Sequence, residues 1–561
     1  MIHKPQNETD IIVRVDDMAG TAANDWEMIA QAIAKAKEVG ATQLLFSPRE
    51  YHVGGASGWL DNAQVVLEGL SDFTVDGNGA VIVCRDIKPG ISISNCQRLV
   101  LRNLTLDWDA VLATPGTVEK KNGETTIHIQ PGYVTDGLPV TSVSTFDREA
   151  WAWDMQAYEV YNPANVEEVS PGVYRSQAFS GFLPGADVLV RHYVYEGTAA
   201  VHVFGRDTQD ITLEKVTVLQ CPSHAFLFSG CGEGIHVDGC VIRRGDETRP
   251  ISATADGLHI SAGKGNILIE NCDFSYMGDD SINIHGKWYK SVSVQGQQIV
   301  VKGTPSVYSP LEVGDPITLH AGGNLTRYGE AVVTKLSTLG QFTYITLDRE
   351  VPEAFVAGDV VGNRNCTSSG FVIRNNYFHD HRARGMLLQA MNGRVENNTI
   401  ENVQAAAIQI TTDCDYWLEG FGCEDIVIRG NRLIGVNKSR SPSYRMDRHP
   451  AALNVVVDTP TGLGDYPLHQ RIIIEDNEII DTPGAAMLIA SAAEVTVRNN
   501  TITDAGYDPY RQLGHAIGKA YTGIVNVLCA QDVLLENNTF DNVKLEPIVT
   551  EQGTCQNITV R

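Results

Sequence analysis

No stretch of this 561-residue chain approaches 18 consecutive apolar residues, so nothing in it reads as a membrane-spanning helix. Cations are scarce as well: 43 Lys and Arg stand against 68 Asp and Glu, a net charge of −25. Nucleic acids and anionic membrane surfaces both call for clustered Lys and Arg, so the deficit argues against either as a partner. It also disfavours strongly anionic polysaccharides, unless a local basic groove overrides the mean. The opening residues MIHKPQNETD lack the apolar core of a secretory signal. Two expectations remain, a cytoplasmic protein or an exported one whose signal has been removed. The 11 cysteines form no CxxC pair, and several (Cys96, Cys240, Cys272) sit in strand-like segments. There a thiol behaves as a small core residue, so buried free thiols are expected ahead of disulfides or a metal site. Phosphate-binding loops and nucleophile elbows are missing too.

What the chain does have is repetition. An eight-residue phrase recurs as LVLRNLTL (99–106), ITLEKVTV (211–218), IHVDGCVI (235–242), ILIENCDF (267–274) and FVIRNNYF (371–378). It continues as GRVENNTI (393–400), IVIRGNRL (426–433), IIIEDNEI (472–479), VTVRNNTI (495–502) and VLLENNTF (533–540). Apolar residues alternate with period two, which means strand, and each phrase breaks at a polar corner often holding Asn. Asn and Gly tolerate the left-handed backbone angles that such a corner needs. Most phrase starts lie 22 to 46 residues apart, one coil of a solenoid. Asn recurring at one corner can stack from coil to coil as a side-chain ladder. The pattern predicts an all-β fold, a right-handed parallel β-helix.

Two gaps interrupt the rhythm, from Leu99 to Ile211 and from Ile267 to Phe371. Each has room for a small inserted β-domain, and both contain alternating runs such as SVSVQGQQIVV and TYITLDREV. They share a turn-then-strand phrase, GADVLVR (185–191), GDPITLH (314–320) and GDVVGNR (358–364). The expected organisation is an N-terminal cap with the first coils (1–107) and a β-barrel-like insert (108–197). Coils with the acidic cluster (198–286), a second β-barrel-like insert (287–364) and C-terminal coils (365–561) follow. The open end of a β-helix exposes strand edges and must be covered. NDWEMIAQAIAKAKEV (24–39) supplies an amphipathic helix for that purpose, with Asn24 as N-cap and Trp26, Ile29, Ile33 and Ala36 on one face.

The chemistry lies in the second strand of each coil. Asp256-Gly-Leu-His-Ile, Asp280-Ser-Ile-Asn-Ile, Arg384-Gly-Met-Leu-Leu and Ala406-Ala-Ile-Gln-Ile align by their paired apolar residues. Asp256 and Asp280 then share a column on adjacent coils, about 4.8 Å apart, with Arg384 next and Asp279 at the same lip. Strict alternation would send Asp256 to the interior with Leu258 and Ile260, where an unpaired charge is prohibitive. Gly257 and Ser281 must therefore mark a bend at which the face switches. The outward set is His259 and Ser261, Asn283 and His285, Leu387 and Gln389, Gln409 and Thr411, a polar groove with acids at one end.

Asp279-Asp280 alone reads as a solvated turn. The column match with Asp256 changes that reading, because like charges on adjacent rungs repel and are destabilising unless used. His285 is as readily a substrate contact as not, whereas His259, His224 and Gln409 read slightly more readily as ordinary solvent-facing polar side chains. Trp417 in DCDYWLEG, and Trp151 and Trp153 in EAWAWD, are candidate sugar-stacking rings, although a ring in such a place more often simply packs. Three carboxylates in a polar groove point to glycosidic bond cleavage. That reaction pairs a protonated carboxyl, assisting the leaving oxygen, with an ionised one that activates water or attacks carbon.

The capping helix and parallel coils resemble the pectate-lyase-like β-helix superfamily. TADGLHI (254–260) with GDDSINIHG (278–286) is similar to the aspartate motifs of the polygalacturonases, glycoside hydrolase family 28. The closer resemblance is to glycoside hydrolase family 110, exo-acting α-1,3-galactosidases that remove terminal galactose, including from blood-group B structures. It extends to RARGMLLQ (382–389) and DCDYWLEGFGCEDIVIRGNRL (413–433), and in all spans essentially the whole chain. The resemblance implies an inverting mechanism with Asp279 as general acid, Asp256 and Asp280 positioning and deprotonating the water. Substrate contacts are expected from His259, Asn283, His285, Arg384, Gln389, Gln409, Asp413 and Trp417. No metal or other cofactor is implied. The Arg-Ile-Lys motif with which family 28 grips uronic carboxylates is absent after the GDD coil, which disfavours pectin. The expected partner is a galactose-terminated oligosaccharide or glycan, and a homo-oligomer is compatible with the sequence. A polygalacturonase-like or other β-helix glycosidase acting on a plant or algal glycan is the alternative. A non-catalytic β-helix glycan-binding protein is the alternative of another class.

Overall fold

The computed structural model describes residues 2–6, 10–55, 63–135, 137–155, 158–439, 451–459, 462–509, 513–514 and 519–561. One large sheet runs through the molecule, and its coil strands pair in parallel with strands one coil away. The phrase strand Gln209–Val218, for example, pairs with Gln97–Trp108 on one side and Glu233–Asp238 on the other. Inward residues of successive coils (Leu101, Leu213, Val237, Ile269, Ile373, Val395, Ile428, Ile474, Val497, Leu535) stack into a single apolar core, nearly all at zero exposure. The fold is the right-handed parallel β-helix that the alternation calls for.

The Asn corner forms as expected and does more than bend the chain. Asn376, Asn398, Asn431, Asn477, Asn500 and Asn538 make a continuous ladder, each side-chain amide donating to the next at 2.9–3.0 Å. The residue before each sits in the left-handed region: Asn375, Asn397, Gly430, Asp476, Asn499 and Asn537 have φ from 54° to 64°. In the two coils before Asn376 the same position is Cys240 and Cys272, both buried. All 11 cysteines are free, nine of them buried, as small core residues would be.

The N-terminal helix spans Asp25–Val39; the Asn24 side chain accepts from Glu27 N, and Gly40 closes it at φ 64°. Met28, Ile29, Ala32, Ile33 and Ala36 are its buried residues, and they join the helix core at its open end. Trp26 lies partly buried against that core, its indole donating to the Gln64 carbonyl.

The two inserts are antiparallel and have their own cores. In the first, strands between Ala113 and Arg191 form an eight-stranded sheet packed around Val118, Ile127, Val143, Phe179, Phe182 and Val190. In the second, the strand Ile282–Gln295 pairs with Gln298–Lys302, which pairs with Phe342–Leu347 and thence Arg327–Leu339. Pro316–His320 and Val360–Asn363 complete the circuit back to Ile282–Gln295, closing a barrel. That long strand belongs to both bodies. Its first residues, Ile282 to His285, pair in parallel within the coils, and Trp288 onward is barrel.

Candidate active site

The register between Leu258–Ser261 and Ile282–Gln295 places Leu258 opposite Ile282 and His259 opposite Asn283. Ile282 in turn faces Met386. Counting back, Asp256, Asp280 and Arg384 fall in one column, as the alignment of coils requires. Both strands begin after the aspartates, at Leu258 and Ile282. The carboxylates therefore leave from corners and escape the core that Leu258, Ile260, Ile282 and Ile284 occupy. Ser281 is locked at that corner by its hydroxyl, which donates to His381 Nε2 at 2.6 Å while His381 Nδ1 donates to the Arg382 carbonyl. Gly278 has no room for a side chain: a Cβ would stand 2.3 Å from the Thr254 carbonyl oxygen.

Carboxylate oxygens of Asp256, Asp279 and Asp280 come within 4.8 Å of one another. The cluster is not an open groove, as the strand pattern suggests, but is buried, at 5%, 6% and 2% exposure. The first insert covers it. Tyr161 OH, from the insert, and Tyr195 OH, just after it, each lie 3.4 Å from Asp279 Oδ2, while Arg382 Nη1 is 3.3 Å from Oδ1. Behind them Glu159 of the insert takes Arg191 on one oxygen at 2.6 Å and Arg382 on the other, with Arg382 Nε at 3.0 Å. Both guanidinium groups also donate to the Gly278 carbonyl at 2.8 Å, so the insert grips the backbone that presents Asp279.

Asp280 Oδ1 accepts from the backbone N–H and the Nε of Arg384, at 2.8 and 2.9 Å. Burial nevertheless pushes its carboxyl up to about 7; Arg384 opposes the shift, and the neighbouring Asp279 and Asp256 add to it. Close carboxylates in a dry site disfavour one another's charge, and in this cluster that cost falls on Asp280.

Asp256 Oδ2 meets His259 Nδ1 at 2.7 Å and lies 3.9 Å from His224 Nε2. His259 Nε2 meets His285 Nε2 at 2.8 Å, and His285 Nε2 is 3.7 Å from Glu419 Oε1. Glu419 Oε2 accepts from Gln389 at 2.9 Å and Asn283 at 3.4 Å. Its carboxyl is held down to about 2: burial works against ionisation, and His285, His259, Lys287 and the Gln389 hydrogen bond outweigh it. The other ends of the two amides, Asn283 Oδ1 and Gln389 Oε1, are buried acceptors without a donor. Such atoms are costly to leave unpaired and are ready partners for hydroxyl groups.

His259, His285 and Glu419, like the three aspartates, are grouped closely enough to be tested as metal ligands. A tetrahedral ion about 2.0–2.1 Å from each nitrogen would hold two imidazole nitrogens roughly 3.3 Å apart. The 2.8 Å separation is that of a hydrogen bond instead.

The remaining expected contacts divide. Gln409 lies two rungs beyond Asn283, paired with Leu387 and Asn454, so it is roughly 10 Å along the helix from the acids. Asp413 shapes a loop: its carboxylate accepts from the backbone of Asp415 and Tyr416 at 2.8 Å and of Trp417 at 3.3 Å. Trp417 is half exposed, and its ring meets that of Tyr195 edge-on at 6.4 Å, forming an aromatic rim near the acids. Trp153 is instead buried with Phe146, Leu189 and Ile251, and Trp151 packs against them, so neither is presented as a stacking platform. Glu419, Tyr161, Tyr195, Glu159, Arg191 and Arg382 were not legible in the repeat, because they come from loops and inserts outside it. The one available signal was an acid six residues beyond Asp413, in the segment that resembles later coils of family 110.

Stacked coils and a buried acid cluster braced by an insert define this chain as a parallel β-helix protein. Over most of its length it is α-1,3-galactosidase-like in sequence. α-1,3-Galactosidase A of Bacteroides fragilis is 24% identical over 545 residues, covering 89% of this chain and 88% of its own. α-1,3-Galactosidase B of Bacteroides thetaiotaomicron is 27% identical over 532 residues, 87% of this chain and 81% of its own. Among solved structures, the catalytic unit of an α-1,3-glucanase from Streptomyces thermodiastaticus aligns with all of this chain and 69% of its own. It does so at 13% identity and a TM-score of 0.46. No protein-family profile matches the chain.

Proposed function

We propose that the protein is an exo-acting, inverting glycoside hydrolase that releases terminal α-1,3-linked galactose from oligosaccharides or glycans of blood-group B or linear type. The observation that carries the reading is the convergence of Asp256, Asp279 and Asp280 within 4.8 Å, in a chain similar to α-1,3-galactosidases over nearly its whole length. Asp279 is the general acid, its carboxyl facing Tyr161 and Tyr195 on the side where the leaving sugar departs toward Trp417. Asp256, paired with His259, takes the proton of the attacking water. Asp280 lies beside both and, with its carboxyl near 7, holds and orients that water and returns the proton to Asp279 after each turnover. Asn283, Gln389 and Glu419 offer galactose hydroxyls two bare acceptors and a charge. Arg384 fixes Asp280 through its backbone N–H and its Nε.

One observation favours a second reading. Inverting enzymes that use two carboxyls hold them about 6.5–9.5 Å apart, and retaining ones about 5–5.5 Å. A closest approach of 4.8 Å or less is nearer the retaining spacing, with Asp256 or Asp280 as nucleophile. With three acids, two of them can share one small water, which is why inversion is preferred here. Proton NMR during early turnover of an α-1,3-galactosyl disaccharide separates the two. Inversion gives β-galactose first, whereas initial α-galactose establishes retention, and no galactose at all overturns the substrate.

A further inference from the structure

The two imidazoles beside the acids face each other through atoms that cannot both be bare. A carbonyl only accepts, so the 2.5 Å contact with the Gly286 oxygen requires a proton on His285 Nδ1. An ionised Asp256, 2.7 Å from His259 Nδ1, accepts a hydrogen bond there and so calls for a second proton. Each ring thus has its Nδ1 hydrogen committed, while the Nε2 atoms approach to 2.8 Å with the ring planes at 90°. Two lone pairs at that distance repel; one proton between them makes a hydrogen bond of ordinary length.

We propose that His259 is an imidazolium in the resting protein, donating Nε2–H to a neutral His285, and that this shared proton makes His259 the positioning residue that fixes the charge of Asp256. The last clause rests on the function proposed above; the proton's location does not.

The proton belongs to His259 because of what surrounds each ring. Asp256 touches His259 directly, whereas the carboxylate nearest His285 Nε2 is Glu419 at 3.7 Å, its other oxygen already taken by Gln389 and Asn283. His224, whose ring centre is 4.9 Å from that of His259, donates through Nδ1 to the Thr198 carbonyl, and burial disfavours its charged form. Asp280 and Glu419 add favourable charge. Burial alone would lower His259, but the Asp256 hydrogen bond and these charges carry it above its ordinary value. Burial holds His285 down to about 4, the value of a ring that stays neutral.

The test is nitrogen-15 NMR of the full-length protein labelled at histidine, between pH 5 and 9, with His259→Gln and His285→Gln used for assignment. At pH 7 His259 is expected to show two protonated nitrogens, and His285 one protonated Nδ1 with a bare Nε2. A bare nitrogen on His259 at pH 7 overturns the proposal. So does a stoichiometric metal ion in the purified protein by emission spectroscopy. Neither readout depends on galactoside turnover, so failure of the substrate reading leaves them interpretable. If turnover is found, His259→Gln should also move the acid limb of the kcat/KM profile upward by about one pH unit or more. A uniform fall in kcat with the limb unmoved would reduce His259 to scaffolding.

Discussion

Replacing Glu159 with Ala tests whether the first insert is part of the catalytic body or merely attached to it. Glu159 is 7% exposed and is the carboxylate between Arg191 and Arg382, whose exposures are 0% and 1%. Its removal leaves two guanidinium groups buried within reach of each other and short of a counter-charge. Breaking one buried pair typically costs about 3–5 kcal/mol, since the orphaned charge keeps its desolvation penalty. Two cations are orphaned here, although Asp279 and the Gly278 and Thr254 carbonyls retain some hold on them, so about 4 kcal/mol is expected. Urea denaturation followed by circular dichroism measures it as a shift in midpoint. The Gly278–Asp279 corner should also lose its grip, and a displacement of about 1 Å at a reacting group costs on the order of 100-fold in rate. A triple variant, Glu159→Leu, Arg191→Met and Arg382→Met, separates the two effects. Apolar groups of similar size often match a buried ion network in stability, so the midpoint should return while turnover does not. A Glu159→Ala protein with an unchanged midpoint and full activity would refute the reasoning.

Asp280→Asn should stabilise the fold at alkaline pH. A carboxyl held near 7 when folded and near its ordinary value when unfolded binds more protons in the folded state between those values, so wild-type stability falls as pH rises from about 4 to about 7. The variant lacks that loss, and its melting temperature should exceed the wild type's at pH 8 and converge with it near pH 4, while turnover disappears. Asp279→Asn and Asp256→Asn should abolish turnover with the fold intact, and a near-normal rate would remove that residue from the scheme. Asn431→Ala removes one rung of the ladder and orphans the Asn398 amide and the Val395 carbonyl. At about 1–3 kcal/mol per buried unpaired group, the loss of several kcal/mol should appear in urea denaturation. Trp417→Ala, at an exposed ring, should leave the melting temperature unchanged and raise KM for oligosaccharides more than for a nitrophenyl α-galactoside. Equal effects on both would place the ring outside the leaving-sugar site.

The coils were legible because a β-helix writes its register into the chain. Period-two alternation and the Asn corner recur with each turn, and aligning Leu258, Ile282 and Met386 was enough to set Asp256, Asp280 and Arg384 in one column. Burial of that column was not legible, since the residues that cover it, Tyr161 and Tyr195, lie far back in sequence and outside the repeat. How Arg384 meets one oxygen of Asp280 through its backbone N–H and its Nε was not legible either, because it depends on a corner that strand alternation does not describe. Trp151 and Trp153 failed as platforms for a related reason. Local sequence marks an aromatic without saying which of two packed layers lies over it.

The strand Ile282–Gln295 passes from the coils into the second barrel without a break, and Glu419 is held to its Lys287 by backbone pairing. At the junction, Gly286 lies so close to Gly420 that a Cβ would stand 2.4 Å from its carbonyl oxygen, and Lys287 Nζ donates to the Trp417 carbonyl at 2.7 Å. The barrel is therefore rooted in the rung that carries His285, and Glu419 and the Trp417 loop are tied to that same root.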